Sequence, residues 1–227
     1  MNIVTHRTLY FWITGIVLAA ALGAIFVYGL PRAIDFTGGS LMKVGYQGDV
    51  PALSVIQDQI AVVPLGAVSV RSLGTNAVSI RARTMTPVEH DAVLAALSAG
   101  GAQVTELSFN SIGPALGGQF ETKALWALAA VAIAIGLYIA FAFRKVSRPV
   151  PSWGYGLIVI AILIHDLIIP AGFFALLSHV TGAEVDALFI TALLALLGYS
   201  VNDTIIIFDR VREHLSRNEK ENNKETF

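Results

Sequence analysis

The sequence predicts an α-helical polytopic membrane protein with four transmembrane helices and a small α+β ferredoxin-like extracytoplasmic domain. Three observations lead to this fold class. Of the 227 residues, 55% are hydrophobic and only 14% are charged, whereas about 25% of an ordinary soluble domain is charged. Four stretches each hold roughly 20 mostly apolar residues, which is enough to cross a hydrocarbon core of ~30 Å. Between the first and second stretches, roughly 90 residues show strand and helix patterns of their own.

The apolar stretches run from about Leu9 to Leu30, Ala124 to Phe143, Tyr155 to Ser178 and Leu188 to Phe208. The first is longer than the apolar region of a signal peptide and lacks an A-x-A cleavage pattern before Pro31, so we expect an uncleaved anchor. The domain boundaries that follow are 1–30 for the N-terminus and first helix, 31–121 for the extracytoplasmic domain, 122–208 for helices two to four, and 209–227 for a polar tail. We expect the tail to be disordered or a frayed helix.

Lysine and arginine in the short connections indicate the orientation of the chain. Basic residues lie between the second and third stretches and after the fourth, whereas the link between the third and fourth has only the acidic Glu184 and Asp186. The basic residues are Arg144, Lys145, Arg148, Arg210, Arg212, Arg217, Lys220 and Lys224. We therefore expect both termini in the cytoplasm and residues 31–121 outside.

The extracytoplasmic segment has the pattern β-α-β-β-α-β of a ferredoxin-like split unit. Thr86, Pro87 and Glu89 form a capping box with proline at the first helical position, and they predict a helix start. That helix should turn Val88, Val93, Leu94 and Leu97 inward and stop at Gly100-Gly101. The predicted elements are strands at 40–46, 67–73, 77–82 and 103–109, a hairpin turn at 74–76, and helices at 51–63 and from 87.

Asp166 lies near the middle of the third apolar stretch, roughly 16 Å from its cytoplasmic end. Because an ionised carboxylate is costly there, it must face the interior of the helix bundle. A carboxyl group that can be neutral or charged inside a membrane is a candidate proton carrier; the alternative is a structural hydrogen bonder. His165 adjoins it but should point about 100° away, where it could gate or bond a neighbouring helix.

A polar stripe on the fourth helix is the second candidate element of a proton path. Tyr199, Asn202, Asp203, Ile206 and Arg210 share one face by their spacing. The stripe should face other helices or a water cavity. The alternative is interhelical hydrogen bonding of about 1 kcal/mol per bond.

Asp209, Arg210, Arg212 and Glu213 lie at the membrane edge. They fit anchoring of the helix end together with local ion pairs. The alternative is that Arg210 biases the charge state of nearby carboxyl groups.

Glycine-rich segments border the extracytoplasmic domain on both sides, and paired glycines permit positive φ and close backbone approach. We expect the first segment to be a loop that leaves the membrane, and both segments to couple the domain structurally to the membrane helices and to act as hinges. The residues concerned are Asp35, Phe36, Gly38, Gly39, Gly113, Pro114 and Gly117.

Several kinds of chemistry have no signal in the sequence. The chain has no Cys, which excludes disulfides, zinc-thiolate sites and cysteine nucleophiles. It lacks a Walker phosphate loop and the G-x-S-x-G and H-E-x-x-H motifs. The net charge of −1 gives no strong basic character for nucleic-acid binding. We therefore expect no enzyme activity, no cofactor, no metal site and no nucleic-acid partner.

The run from Gly198 to Glu213 resembles the signature of the SecF branch of the SecD/SecF family of protein-export membrane proteins, which is RND-like. Three further segments agree with it: Ile34 to Gly39, although Ala33 replaces a usual glycine, Ile112 to Gly117, and the pair His165-Asp166. The family usually has six membrane helices. The chain therefore resembles the first four of six, as a truncated protein or one that another chain completes.

The resemblance implies an accessory role in protein export across the bacterial or archaeal cytoplasmic (inner) membrane. The implied partners are SecD, a SecYEG-type channel, YajC, unfolded secreted polypeptide and the lipid membrane. The implied energy source is the proton-motive force, with Asp166, His165, Asn202, Asp203 and Arg210 on the proton path. An RND-type exporter of small or lipidic molecules and a non-transporting scaffold of the translocon are the alternatives.

Overall fold

The computed structural model describes residues 6–99, 101–144 and 151–225, and the side chains of residue 212 and of residues beyond 214 are not among those described. Seven helices and four strands follow one another in these residues. They are α1 (Arg7–Tyr28), α2 (Ile34–Thr37), β1 (Gly39–Tyr46), α3 (Leu53–Ile60), β2 (Ser69–Leu73), β3 (Ala77–Ala82), α4 (Pro87–Ser98), β4 (Val104–Ile112), α5 (Pro114–Ala142), α6 (Ser152–Thr181) and α7 (Ala187–Glu225).

Four of the helices are long and apolar enough to cross a membrane, which confirms the predicted number of spans. They are α1, α5, α6 and the Ala187–Val211 part of α7. By contact, the chain divides into two units: Met1–Pro31 with Ala124–Phe227, called here the membrane unit, and Arg32–Lys123, called the sheet unit.

Small residues let the helices of the membrane unit approach closely. A Cβ atom on Gly172 of α6 would meet the backbone of Ala21 of α1 at 2.4 Å, and one on Gly156 of α6 would meet the Gly136 carbonyl of α5 at 2.5 Å. Such contacts are typical of membrane helices, where packing replaces the hydrophobic effect as the driving force for association. At one end of the unit, the rings of Phe143, Tyr155 and Phe208 pack together with centroids 5.3–5.9 Å apart.

The sheet unit has one four-stranded antiparallel sheet in the order β2-β3-β1-β4. Alternate residues of the strands point to α3 and α4, as the period of a half-buried strand requires. The core is closed by fully buried side chains, which include Met42, Val44, Ile56, Val93 and Leu97. The sequence of elements is the predicted β-α-β-β-α-β, and the ferredoxin-like classification stays a prediction.

Within the sheet unit, the start of α4 is as predicted but its inward face is not. The capping box is present: Thr86 Oγ1 accepts from the Glu89 N–H, and the Glu89 carboxylate accepts from the Thr86 N–H. The expectation that Val88 points inward is wrong, because its side chain is 78% exposed. Five residues at 100° each place it about 140° around the helix from the buried Val93.

Helix ends differ most from the sequence expectation at the two long membrane helices. Helix α5 begins at Pro114, ten residues before the predicted Ala124, so Gly117 and Gly118 lie inside it. Proline starts this helix well because its fixed φ suits the first turn. The fourth span is Ala187–Val211, close to the predicted Leu188–Phe208, and helix α7 continues beyond it to Glu225. The residues after Phe208 are mostly good helix formers without Gly or Pro, so the backbone continues as helix where a frayed or disordered tail was expected.

The remaining differences are small or fall outside the described residues. Residues Ile34–Thr37 form the short helix α2 where a loop was expected. Gly38 and Gly39 have the expected positive φ, at 72° and 121°. Predictions that involve Gly100, Lys145, Arg148, Thr226 and Phe227, and those on the side chains of Arg212, Arg217, Lys220 and Lys224, lie outside what the structure describes.

Glu89 generates a testable pH dependence. Its hydrogen bonds to Arg83 and to Thr86 lower the pKa of its carboxyl from 4.5 to about 2. A carboxyl whose folded-state pKa is depressed contributes stability that is complete above 4.5 and is lost as the pH falls toward 2. Glu89→Gln should therefore lower the urea midpoint of the sheet unit at pH 6 and have little effect near pH 2.

The measurement is urea unfolding of the whole chain in detergent, with amide hydrogen exchange in α4 as the local probe. Asp58→Asn, which removes an exposed carboxylate from α3, is the control and should shift the midpoint little. Equal effects of Glu89→Gln at both pH values would contradict this account.

Candidate functional site

Asp166 contacts two polar side chains in the middle of the membrane unit. Its Oδ2 accepts a hydrogen bond from Ser200 Oγ of α7 at 2.5 Å. Its Oδ1 lies 2.8 Å from His165 Nδ1. Each carboxylate oxygen thus has one partner, one on the neighbouring helix and one on the same helix. We call His165, Asp166 and Ser200 the Asp166 cluster.

The Asp166 cluster lies in an apolar seam between α6 and α7. Val159, Leu163 and Leu197 around it are fully buried. The side chains of His165 and Asp166 are 29% and 28% exposed, so the carboxyl group is largely shielded. An uncompensated charge at such depth costs about 2.5–3.5 kcal/mol on insertion scales. Hydrogen bonds from a hydroxyl and an imidazole offset part of that cost.

The expected direction of His165 is wrong. Neighbouring Cβ atoms on a helix do diverge by about 100°, but the imidazole is long enough to bend back to the adjacent carboxylate. Its other nitrogen, Nε2, is buried and has no hydrogen-bond partner among the described residues. When Nδ1 is protonated, His165 donates to Asp166; when Asp166 is protonated, the carboxyl can donate to a bare Nδ1. The pair can therefore hold a proton on either side of one hydrogen bond.

Ser200 is the member of the cluster that the sequence analysis missed. It lies inside the quoted signature, but the polar stripe drew attention to its neighbours. The signal that identifies it is the buried face of α7: Leu193, Leu197 and Thr204 are buried and spaced so that Ser200 falls between them on the same face. Thr204 Oγ1 in turn donates to the Ser200 carbonyl at 2.9 Å. A polar residue in an apolar buried series points toward the neighbouring helix.

The polar stripe lies on a different face of α7 from Ser200. Tyr199 is 76% exposed, and Asn202 and Asp203 are also exposed. Arg210 Nη1 donates to Glu213 Oε2 at 3.0 Å, one turn further along the helix. Arg210 is ten residues from Ser200, about 15 Å along the axis. The structure therefore brings His165 and Asp166 together, places Arg210 apart from them, and leaves Asn202 and Asp203 exposed.

A groove between α5 and α7 lies beside the exposed stripe. Its volume is about 440 Å³. The lining residues are Tyr138, Ile139, Ala142, Phe143, Ile205, Ile206, Asp209 and Arg210.

The glycine-rich segments of the sheet unit meet at a backbone crossing. A Cβ atom on Gly117 would lie 2.5 Å from the Gly38 nitrogen and 3.0 Å from the Phe36 carbonyl oxygen, and one on Gly38 would lie 2.6 Å from Pro114 Cα. Phe36 also packs on Phe120, with ring centroids 5.5 Å apart. These contacts explain why glycine stands at 38 and 117; the hinge role of the segments, including Asp35, Gly39 and Gly113, stays a prediction.

The described part of the chain was compared with the arrangements of side chains that bind metal ions. Among these residues no group of three or more His, Asp and Glu side chains is arranged to hold an ion. His90, for example, contacts Asp91 through Nδ1 and Glu106 through Nε2, each at 3.0 Å. Its two carboxylate partners lie on opposite sides of the ring, which does not suit one metal ion.

Comparison with known sequences gives a consistent result. The family described as "Protein export membrane protein SecD/SecF, C-terminal" matches residues 92–227, and the "SecD/SecF GG Motif" matches residues 23–50. The protein translocase subunit SecF of Thermobaculum terrenum is 32% identical over 96% of this chain and 71% of its own length. The same subunit of Anaerolinea thermophila is 32% identical over 94% of this chain and 69% of its length.

Comparison with solved structures agrees. The crystal structure of SecDF, a translocon-associated membrane protein from Thermus thermophilus, superposes with a TM-score of 0.75 and 27% sequence identity over 94% of this chain. A second SecDF structure, described as a super-membrane-facing form, gives a TM-score of 0.56. This chain spans 28% of the SecDF chain.

The Ser200–Asp166 contact predicts a stability effect. Ser200→Ala removes a donor to a shielded carboxyl group and should lower the free energy of unfolding by about 1–3 kcal/mol. Thr191→Val, which removes the exposed hydroxyl that bonds to the Ala187 carbonyl on the same helix, should cost less than ~1 kcal/mol. Unfolding of the chain in mixed micelles, followed by helicity, measures both; equal losses would contradict the contact.

The backbone crossing predicts opposite effects of two neighbouring substitutions. Gly117→Ala should destabilise the sheet unit by about 1–3 kcal/mol, because the added methyl group meets backbone atoms that cannot move aside. Gly118→Ala is the matched control, since nothing lies within 4 Å of its Cβ position; it should be neutral or stabilising by up to ~1 kcal/mol. Thermal unfolding of the whole chain tests this. A Gly117→Ala protein as stable as the Gly118→Ala protein would show that the crossing is loose.

Proposed function

Because this chain belongs to the SecD/SecF family of protein-export membrane proteins, we propose that it acts as an accessory subunit of the Sec protein-export machinery. The observation that carries the proposal is the family match over residues 92–227, which includes the whole Asp166 cluster. The chain has four helices able to span a membrane, and it is a multi-pass membrane protein. In this proposal it pairs with SecD and uses the proton-motive force to promote translocation and release of secreted chains.

The proposed energy coupling centres on Asp166. As a carboxylate it accepts from Ser200, and this hydrogen bond links α6 to α7. Protonation removes the charge that makes the bond strong, since hydrogen bonds to ionised groups are roughly twice as strong as neutral ones. Proton uptake would thus weaken the contact between the two helices, and release would restore it. One charge that crosses about 100 mV supplies ~2.3 kcal/mol. This is comparable to the free energy that a hydrogen bond to a charged group contributes to stability.

Pairing with a second membrane protein is supported by the exposed stripe on α7. Asp203 and Asn202 lie inside a predicted span, yet they are exposed on the chain itself. Polar groups at membrane depth almost always face protein or a water-filled cavity. In the proposal SecD covers this face, Asn202 and Asp203 continue the proton path, and Arg210 tunes it at the membrane edge. A SecYEG-type channel and YajC are further proposed partners.

The proposed orientation places both termini in the cytoplasm and the sheet unit outside the inner membrane. Arg144 follows α5, and Arg210 lies near the end of the fourth span, whereas the link between α6 and α7 has Glu184 and Asp186. This is the distribution that the positive-inside rule associates with cytoplasmic α5–α6 and C-terminal segments. The sheet unit would then meet unfolded secreted polypeptide, either at a sheet edge or on apolar patches.

A scaffold without transport activity is the second candidate function. The observation that favours it is that both carboxylate oxygens of Asp166 have a hydrogen-bond partner, as a structural carboxyl group would. Asparagine at 166 retains an oxygen and an NH₂ group and can keep part of this network. The two candidates therefore differ in their response to Asp166→Asn.

The experiment is an export assay with a secreted reporter in cells depleted of their own SecF. The chain is expressed alone and as a chimera that replaces the matching residues of a full-length SecF relative. We expect the chimera to restore export and Asp166→Asn to reduce its rate by at least tenfold, about 1.4 kcal/mol in effective barrier. Asp49→Asn, in an exposed loop of the sheet unit, is the matched control and should export at the parental rate.

The outcomes separate the candidates. Loss of export with normal membrane insertion of the Asp166→Asn protein supports proton coupling. Export at the parental rate with asparagine would exclude a proton-carrier role and leave the scaffold. Failure of the unaltered, correctly inserted chimera would contradict the export role itself.

A further inference from the structure

Helix α5 is longer than the hydrocarbon core of a bilayer requires. It has 29 residues, which extend over about 43 Å, whereas the core is ~30 Å thick. The segment between Lys123 and Arg144 has no charged side chain, and these two residues are about 32 Å apart along the helix axis. The two basic residues therefore bracket the hydrocarbon core, and the turns of α5 before Lys123 project beyond it.

The turn of α5 that precedes Lys123 lies in the headgroup layer, which adds about 5–8 Å on each side of the core. Gln119 and Phe120 are about 6 and 4.5 Å from Lys123 along the axis. The side chains of Gln119 and Lys123 are exposed, and Phe120 is 42% exposed. Trp126 follows Lys123 by less than one turn and is 71% exposed. Tryptophan is enriched at membrane–water interfaces, so it marks the same level.

The charge of Lys123 is not neutralised within the described structure. No hydrogen bond or ion pair among the described residues involves its ammonium group. Glu121, the acidic residue closest to it in sequence, is paired with Arg32 instead. Arg32 Nη1 donates to both carboxylate oxygens of Glu121, at 2.8 and 2.9 Å. An ammonium group that has no carboxylate partner and lies at headgroup level attracts negative charge from the lipid.

We propose that Lys123 and Gln119 bind the phosphate group of an anionic phospholipid such as phosphatidylglycerol. The two residues are four apart, so their side chains lie one above the other on the surface of α5. The ammonium group of Lys123 pairs with the phosphate, and the amide of Gln119 donates to another phosphate oxygen. Phe120, on the adjacent side of the same turn, provides an aromatic ring at the level of the lipid glycerol group.

Continuity with the membrane-spanning part of α5 favours a lipid as the occupant of this face. Trp126 lies about 20° around the helix axis from Gln119 and about 60° from Lys123. The side of α5 that presents Trp126 to the bilayer therefore also presents the two donors. The contacts of α5 with Phe36 and Gly38 go through Gly117, about 100° from Lys123 or more, so they leave the donors accessible. The inference concerns lipid binding and does not depend on export activity.

The first test measures the membrane depth of this turn in the whole chain, reconstituted in nanodiscs of phosphatidylcholine and phosphatidylglycerol. Because the chain has no Cys, the fluorophore NBD can be attached at Thr122→Cys alone. Thr122 is exposed and adjoins Lys123. We expect blue-shifted emission and quenching by lipids spin-labelled on the headgroup. The control is Leu73→Cys: Leu73 is 42% exposed at the end of the sheet away from Gly39, and the fluorophore there should stay in water.

The second test compares quenching of the Thr122→Cys fluorophore by spin-labelled phosphatidylglycerol and by spin-labelled phosphatidylcholine. Lys123→Gln should lower the ratio of the two roughly threefold to fivefold, the effect of one lysine at an anionic surface. Gln119→Ala should lower the ratio roughly twofold through the loss of one donor. High salt should lower the ratio for the parent chain. Lys43→Gln, which alters a half-buried lysine of β1, is the matched control and should leave the ratio unchanged.

Three results would overturn the proposal. A fluorophore at Thr122→Cys that is as exposed to water as the one at Leu73→Cys would show that this turn lies outside the headgroup layer. Blue-shifted emission without quenching by the spin-labelled lipids would show that protein, not lipid, covers the face. A Lys123→Gln protein with unaltered circular dichroism and the parental quenching ratio would show that the ammonium group does not bind the phosphate.

Discussion

The Asp166 carboxyl group imposes the constraint on which the packing of the membrane helices depends. A carboxyl group in the middle of an apolar helix cannot be left to lipid, because its ionised form is costly there. Ser200 must therefore face α6, and that rotation of α7 turns Leu197 and Thr204 inward with it. The same rotation leaves Asn202 and Asp203 on another side. One polar contact thus determines which face of α7 is buried and which face is exposed.

Small residues provide the second constraint, since they set how closely backbones approach. Gly172 against Ala21 and Gly156 against Gly136 bring α6 near both α1 and α5. Through these two backbone contacts α6 packs closely against both α1 and α5. Asp166 therefore lies on a helix that is held by neighbours at two points. Gly117 and Gly38 do the same within the sheet unit. A segment packed this tightly can move only as a body, so any hinge there would act through the residues beside the crossing.

The sequence allowed the four spans, the capping box at Thr86 and the position of Asp166 to be predicted, because hydropathy and helix caps are local properties. It did not reveal which side chain meets Asp166. That depends on the rotation of two helices about their axes, and on the reach of a side chain such as His165. The prediction that Val88 points inward was wrong for a related reason. An apolar residue near the start of a helix fits a coarse apolar pattern, but in the actual helix Val88 lies about 140° around the axis from the buried Val93.

The exposed stripe on α7 connects the Asp166 cluster with the need for a partner. Ser200 and Asp203 are three residues apart, so they are neighbours on the surface of α7, about 4.5 Å apart along its axis. The first contacts Asp166 and the second is exposed on the chain itself. A carboxylate at membrane depth requires a protein or water environment. Any surface that covers Asp203 therefore stands less than one helical turn from the Asp166 cluster, and in the proposed proton coupling a shift of α7 on protonation of Asp166 would reach that surface directly.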